Sequence, residues 1–229
     1  MVTLPSGAVA NAERPWQIRR RQRIVQAAGA QFAEQPFSQV HMDMVARRAG
    51  IGKPTLYRYF ASKEALFLAV VDGALAGLER QFDAILAAGM APPEALAAML
   101  RALGDVLADQ LRSLRVLDGE NAELARRWRS TYRQRREGIV AGMRRVIEAG
   151  TQSGDFAALD PAVVPGMLIG MIRGGLAGAP EQPRERVVAA AIALVMAGVL
   201  ARSRAAEGIA PPRGPALLSG SGETSRAAD

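Results

Sequence analysis

The chain has 229 residues, 49% of them apolar, enough for one large domain or a small head on a larger body, which argues against global disorder. It contains no cysteine and one histidine, His41, so disulfides, thiol catalysis and His-based metal or triad chemistry are excluded as organising themes. The net charge of +7 is uneven: residues 1–70 carry ten Lys/Arg against four Asp/Glu, residues 71–229 nineteen against eighteen. That asymmetry is the electrostatic footprint of a nucleic-acid-binding head on a near-neutral body.

In chain order, residues 1–15, with Pro5, Gly7 and Pro15, are expected to be a flexible arm. They lack the apolar run of a signal peptide. A first helix follows from Trp16 to Gln35, with Ile24, Ala28 and Phe32 on one face and Arg19, Arg20, Arg21 and Arg23 around its start. Pro36 ends it. A second helix covers Met42–Ala49, its stripe of Met42, Val45, Ala46 and Ala49 facing inward, and Gly50 closes it. The third helix is short, Lys53–Phe60, with Pro54 in its first turn. Leu56 and Phe60 fall together on its inner side. Ser62 caps a long amphipathic helix from Lys63 to Ala88, which joins head to body.

Beyond it, helical segments are expected at 93–110, 112–119 and 122–152, the last capped by Asn121. Asp160-Pro161 opens another helix to Gly178, and a final one runs over 184–204. The Pro-, Gly- and Ser-rich stretch after Gly208 reads as a disordered tail, placed at 206–229. The fold class is all-α with about nine helices: a helix-turn-helix unit over residues 16–67 and a helical bundle over 68–205. The apolar segments Ala162–Gly178 and Val187–Ala201 fall short of the ~20 residues a membrane span needs, so a soluble, cytoplasmic protein is expected.

The unit from Val45 to Phe67 is too small to bury itself and has no catalytic grouping. Two short helices around a glycine turn are the arrangement that lets a helix enter a DNA major groove. Its residues also match a known pattern. Gln22-x-Ile24-Val25-x-Ala27-Ala28-x-x-x-Phe32, Met42-x-x-Val45-Ala46-x-x-Ala49-Gly50-Ile51, Thr55-Leu56-Tyr57-x-Tyr59-Phe60 and Ser62-Lys63-Glu64-x-Leu66-Phe67 together resemble the TetR family of transcriptional regulators, over residues 18–67. The sequence departs from that family at three places: His41 stands where a serine or threonine is common, Pro36 where a glycine is usual, and Gly52 where a serine is frequent. The resemblance implies a helix-turn-helix head and a ligand-binding, dimerising body, most members being repressors.

Carried over by position, the resemblance implies a recognition helix bearing Lys53, Pro54, Thr55, Tyr57, Arg58 and Tyr59, with Lys63 near a phosphate. Arg58 either grips a guanine edge or meets a phosphate. Thr55 suits a thymine methyl or a phosphate, and Tyr57 and Tyr59 position the backbone. The cluster Arg19–Arg23 is either a solvated helix start or a reach to an adjacent minor groove or phosphates.

In the body, Gly166, Gly170, Gly174 and Gly178 repeat every four residues, as do Ala189, Ala193, Ala197 and Ala201. Glycine inside a helix costs ~1 kcal/mol relative to alanine, so the series needs a reason. Small-residue ridges let helices approach closely, and because helix-turn-helix proteins read two half-sites as symmetric dimers, Gly166, Gly170, Gly174, Ala189, Ala193 and Ala197 are assigned to a four-helix dimer interface, a glycine stripe lining the intrachain core being the alternative. An apolar or amphipathic effector pocket, implied by the resemblance, has Met99, Leu103, Leu107, Trp128, Tyr132, Met143, Met167 and Met171 as candidate linings. The same residues suit a plain core. Arg127, Arg133 or Arg173 is placed to meet an anionic ligand. The reading is a homodimeric, sequence-specific DNA-binding repressor released by a small molecule, without catalytic residues, metal, cofactor or membrane contact. Its partners are a double-stranded operator, a second copy and that effector. An activator, a corepressor-dependent regulator or a helical small-molecule carrier are the alternatives.

Overall fold

A computed structural model of the chain describes residues 14–114 and 122–200. Most of the arm, the tail, Asn121 and Ala201 lie outside the described residues. The described residues form eight α-helices and one 3-10 turn. These are α1 (Pro15–Glu34), the turn Phe37–Gln39, α2 (Met42–Ala49), α3 (Lys53–Tyr59), α4 (Lys63–Ala87), α5 (Pro92–Leu114), α6 (Ala122–Ser153), α7 (Val164–Gly178) and α8 (Arg184–Val199). An isolated antiparallel bridge, Phe156 to Leu200, is the extended pairing among them.

Three expectations are corrected. The segments at 93–110 and 112–119 are one helix as far as Leu114, because no glycine or proline stands between them to break it. The helix expected from Asp160-Pro161 starts at Val164 instead. Asp160 Oδ1 accepts the Ala162 N–H at 2.8 Å, folding residues 160–162 into a side-chain-closed turn, and Pro165 takes the first-turn place expected of Pro161. Pro36, which ends α1, leads directly into the 3-10 turn, which apolar periodicity did not reveal.

The core is continuous from head to body. In the head, Phe32, Phe37 and Phe67 meet with ring centroids 5.2–5.8 Å apart, tying α1, the 3-10 turn and α4 together. α1 and α4 cross with reciprocal small-to-large contacts: a Cβ added at Gly29 would lie 3.5 Å from Val70 Cγ1, and one at Gly73 3.5 Å from Val25 Cγ1. α4 buries Leu66, Phe67, Leu68, Val71, Leu75, Leu78 and Phe82 along its length. Each such side chain contributes roughly 1.5–3 kcal/mol when fully buried. In the body, α4 lies close against α6, where Gly142 faces the Phe82 ring. Arg135 of α6 bridges two turns of α4, with Nε 2.7 Å from Asp72 Oδ1, Nη2 3.1 Å from Asp72 Oδ2 and Nη1 3.2 Å from Glu79 Oε2. Among the described residues no helix is long and apolar enough to cross a membrane.

Candidate nucleic-acid interface

The head is set by α2, α3 and the turn between them. Met42, Val45, Ala46 and Ala49 are buried against α1, as their spacing predicts. Gly50 takes φ +67°, a left-handed conformation that costs a side-chain-bearing residue, and the Ile51 N–H returns to Ala46 O at 3.0 Å. Arg48 holds the pair in place through a forked contact to Glu34 of α1 at 2.8 and 2.9 Å, and Gln31 Nε2 donates to the same carboxylate at 3.1 Å. These donors, Arg48 first, hold the Glu34 carboxyl below its ordinary pKa. At the C-terminal end of α2, Arg23 Nη2 donates to Ala49 O at 3.4 Å.

α3 is anchored by Leu56, fully buried, and by Phe60 just after it. At about 100° per residue, Pro54 and Arg58 then point away from the core, with Lys53 and Tyr57 on one flank and Thr55 and Tyr59 on the other. The exposures agree: Lys53, Pro54, Tyr57 and Arg58 are exposed, Thr55 and Tyr59 half-buried. Seven residues present this many polar and aromatic groups to solvent on a helix too short to stand alone.

Each flank of α3 borders a hollow. On the first, Val40, His41, Met42, Asp43, Lys53, Tyr57 and Lys63 enclose about 240 Å³. Three residues expected to touch DNA are thus brought together there. Two of them are already engaged. Lys53 Nζ lies 2.9 Å from Asp43 Oδ1, which raises its pKa above the ordinary lysine value. Lys63 Nζ donates to Phe37 O at 2.8 Å and to Ser38 O at 3.4 Å and stands 4.4 Å from the centre of the Phe37 ring. Ser62 caps α4 as expected, accepting the Ala65 N–H at 3.1 Å. His41, before α2, makes no side-chain cap.

On the other flank, Trp16, Gln17, Arg21, Arg58 and Tyr59 border a hollow of about 390 Å³. Arg21 lies over the Phe60 ring at 5.1 Å and Arg58 over the Tyr59 ring at 5.9 Å. Sequence reasoning singled out the arginine cluster but not Trp16 or Gln17. The available signal was a tryptophan one turn before four arginines on a helix start.

The body residues expected to line a pocket do not converge. Met99, Leu103, Leu107 and Met143 are at most 3% exposed and belong to the core. Trp128 and Tyr132 are half-buried and stacked at 5.8 Å, and the Trp128 Nε1–H is buried without a partner. Burial pushes the Tyr132 phenol up, opposed by Arg136 and Arg173. Met171 is half-buried, whereas Met167 is 65% exposed. Its place as an interior lining is corrected: α7 turns Leu168, Ile169, Ile172 and Leu176 inward, and Met167 falls on the opposite side.

The glycine series follows that outer side. Gly170 and Gly174 are exposed and an added Cβ would meet nothing within 4 Å, while Gly166 lies beside the Arg136 guanidinium. Ala189, Ala193 and Ala197 of α8 are exposed as well. Among the described residues nothing covers Gly170, Gly174, Ala189, Ala193 and Ala197. The groove between α7 and α8, about 430 Å³, is lined mainly by Met171, Val187, Ala190, Ala191 and Leu194.

Comparison with known proteins agrees with this architecture. Residues 24–70 match the family description "Bacterial regulatory proteins, tetR family", and residues 89–175 match "Tetracyclin repressor-like, C-terminal domain", together more than half of the chain. The HTH-type transcriptional regulator YhgD of Bacillus subtilis is 27% identical over 145 residues, 63% of this chain and 75% of that one. The HTH-type transcriptional activator FasR of Mycolicibacterium smegmatis is 35% identical over 80 residues, 33% of this chain and 36% of that one. Among solved structures, a TetR transcriptional regulator from Streptomyces coelicolor matches with a TM-score of 0.62 at 24% identity, over 80% of this chain and 99% of that one.

Proposed function

This chain belongs to the TetR family and is a DNA-binding transcriptional regulator, and from that premise we propose that it acts as a homodimeric repressor released by a small molecule. The observation that carries the DNA-contact assignment is the outward face of α3, with Pro54 and Arg58 at its crest and Lys53, Thr55, Tyr57 and Tyr59 on its flanks. Such a helix suits a major groove, its crest reaching base edges or, through Arg58, a phosphate, and its flanks the bordering phosphates. Lys63 joins the flank contacts from the start of α4.

The second copy docks on α7 and α8. Their exposed ridge of Gly170, Gly174, Ala189, Ala193 and Ala197, with Met167 and Leu194 beside it, is apolar and low enough for close helix approach. A two-fold dimer presents two heads to successive major grooves, ~34–36 Å apart. The effector enters the body beside Trp128 and Tyr132, where a buried indole N–H lacks an acceptor. It is apolar or amphipathic, and an acidic group on it suits Arg173 of α7. Binding biases α4 between two positions, and only a ligand that prefers the non-binding position releases DNA.

Fluorescence anisotropy with duplexes from upstream of the chain's own gene tests this. Tight, salt-sensitive binding that a ligand from a thermal-shift screen abolishes is expected; a ligand that tightens it rejects release in favour of corepression. A second reading, activation, is favoured by the 35% identity to FasR, named an activator, over a third of the chain. In vitro transcription decides the sign.

A further inference from the structure

Within the DNA-binding reading on which it rests, we infer that the hollow bordered by Trp16, Gln17, Arg21, Arg58 and Tyr59 is a second phosphate seat. It would take a sugar-phosphate unit of the DNA strand along the far edge of the groove that α3 enters. The seat joins the first turns of α1 to the end of α3 and extends the contact surface beyond the helix-turn-helix itself.

Three observations converge there. First, the cations of the head are unevenly committed. Arg48 is held by Glu34, Lys53 by Asp43, Lys63 by two carbonyls and Arg23 by a third. Arg21 and Arg58 have aromatic faces under them and no acidic partner among the described residues. An arginine stacked on a ring keeps its planar fork oriented while all its N–H donors remain available, which is the form in which guanidinium grips phosphate.

Second, the Tyr59 hydroxyl is buried and has no hydrogen-bond partner among the described residues. A buried O–H without an acceptor is unfavourable. Tyr59 borders the hollow, and a small turn of its ring would let an oxyanion seated there accept a hydrogen bond from the hydroxyl. Gln17 adds an amide donor to the same hollow, although its Oε1 accepts the Arg14 N–H at 2.7 Å. Among the described residues no carboxylate lines the hollow.

Third, position. Tyr59 leaves α3 on the side opposite Lys53 and Tyr57, Arg58 reaches from the crest to the same hollow, and each side of the helix has its own polar hollow. A helix in the major groove is bordered by a phosphate strand on each side, so two seats across one short helix match the two strands. The larger hollow also exposes the Trp16 indole, with Arg20 stacked over it at 5.9 Å, a flat apolar face against which a deoxyribose can rest.

The test is a salt titration of the full chain on a labelled random-sequence duplex, read by anisotropy, for wild type, Arg21→Gln and Tyr59→Phe. Arg21→Gln is expected to reduce the slope of log K against log salt by roughly one unit per head engaged. Tyr59→Phe removes only a neutral donor. It should leave the slope alone, weaken binding by roughly tenfold and keep the thermal midpoint at or above wild type, because its hydroxyl has no partner among the described residues to lose. Since Arg21 also stacks on Phe60 and its loss can loosen the head, the Tyr59 variant decides if Arg21→Gln does not fold. An unchanged slope in folded Arg21→Gln, or unchanged affinity in Tyr59→Phe, overturns the seat. A thermal shift with inorganic phosphate that Arg21→Gln abolishes while the DNA slope stays fixed overturns it as well, in favour of a free anion. Wild type that binds no duplex defeats the DNA-binding reading itself, whereas wild-type binding with indifferent variants defeats this inference alone.

Discussion

Lys63 shows how one side chain can serve fold and ligand together. An ammonium has three donors. Two of them point at Phe37 O and Ser38 O, so one remains for a phosphate. Lys63→Ala should therefore have two effects: a salt slope lower by about one unit, and a head less stable by about 1 kcal/mol as the 3-10 turn loses its clasp. Chemical denaturation alongside the titration checks both, and a change in slope with no change in stability would remove the structural half. The sequence placed Lys63 at a helix start but gave no sign of its partners, because those carbonyls belong to a turn some 25 residues earlier. Leu56 and Phe60 were legible for the converse reason: their burial follows from spacing within one helix. Tyr59 lies between these cases. Its side of α3 could be read from the wheel, but the hollow that it borders depends on Trp16, Gln17 and Arg21 of α1 as well.

The helices themselves were legible where breakers stand. Gly50, Pro36 and Ser62 mark ends that the structure keeps. Where breakers mislead, as at Asp160-Pro161, the boundary moved, since aspartate there closes a turn before the helix begins. Glycines were harder to read, because their spacing announces a ridge without saying what covers it. The series in α7 faces outward, while the close approach of α4 and α6 relies on Gly138, facing Glu79, and Gly142, facing Phe82, a pair that the sequence analysis did not single out. A Cβ at Gly142 would come within 3.0 Å of the Phe82 ring, and a larger side chain would force the helices apart. Gly142→Val is expected to cost ~1–3 kcal/mol of stability by overpacking. It should also alter DNA affinity through α4 without touching the head, as a thermal melt and anisotropy on the same sample would show. Full wild-type affinity in a destabilised variant would mean that α4 does not carry the body's state.

For the whole molecule, fold class and the head were readable from one chain, but the outer ridges are given a purpose only by the proposed second copy. Gly174→Leu fills open space in the monomer, so the variant should fold normally. It is expected to run as a monomer in gel filtration and to lose much of its DNA affinity, because two linked heads bind through effective concentration rather than singly. A dimer of unchanged size would place the interface elsewhere. The mechanics within each copy follow from α4. Its 25 residues make a rod about 37 Å long. The Gly29–Val70 and Gly73–Val25 contacts seat α1 against the first half of α4, and Arg135 of α6 holds α4 at Asp72 and, two turns on, at Glu79. A rod held this way acts as a lever: a tilt of ~5° about its far end carries the head by about 3 Å. Adjustments within a close-packed body, smaller than a bond length, are thereby scaled up to distances on which two reading heads lose their common register.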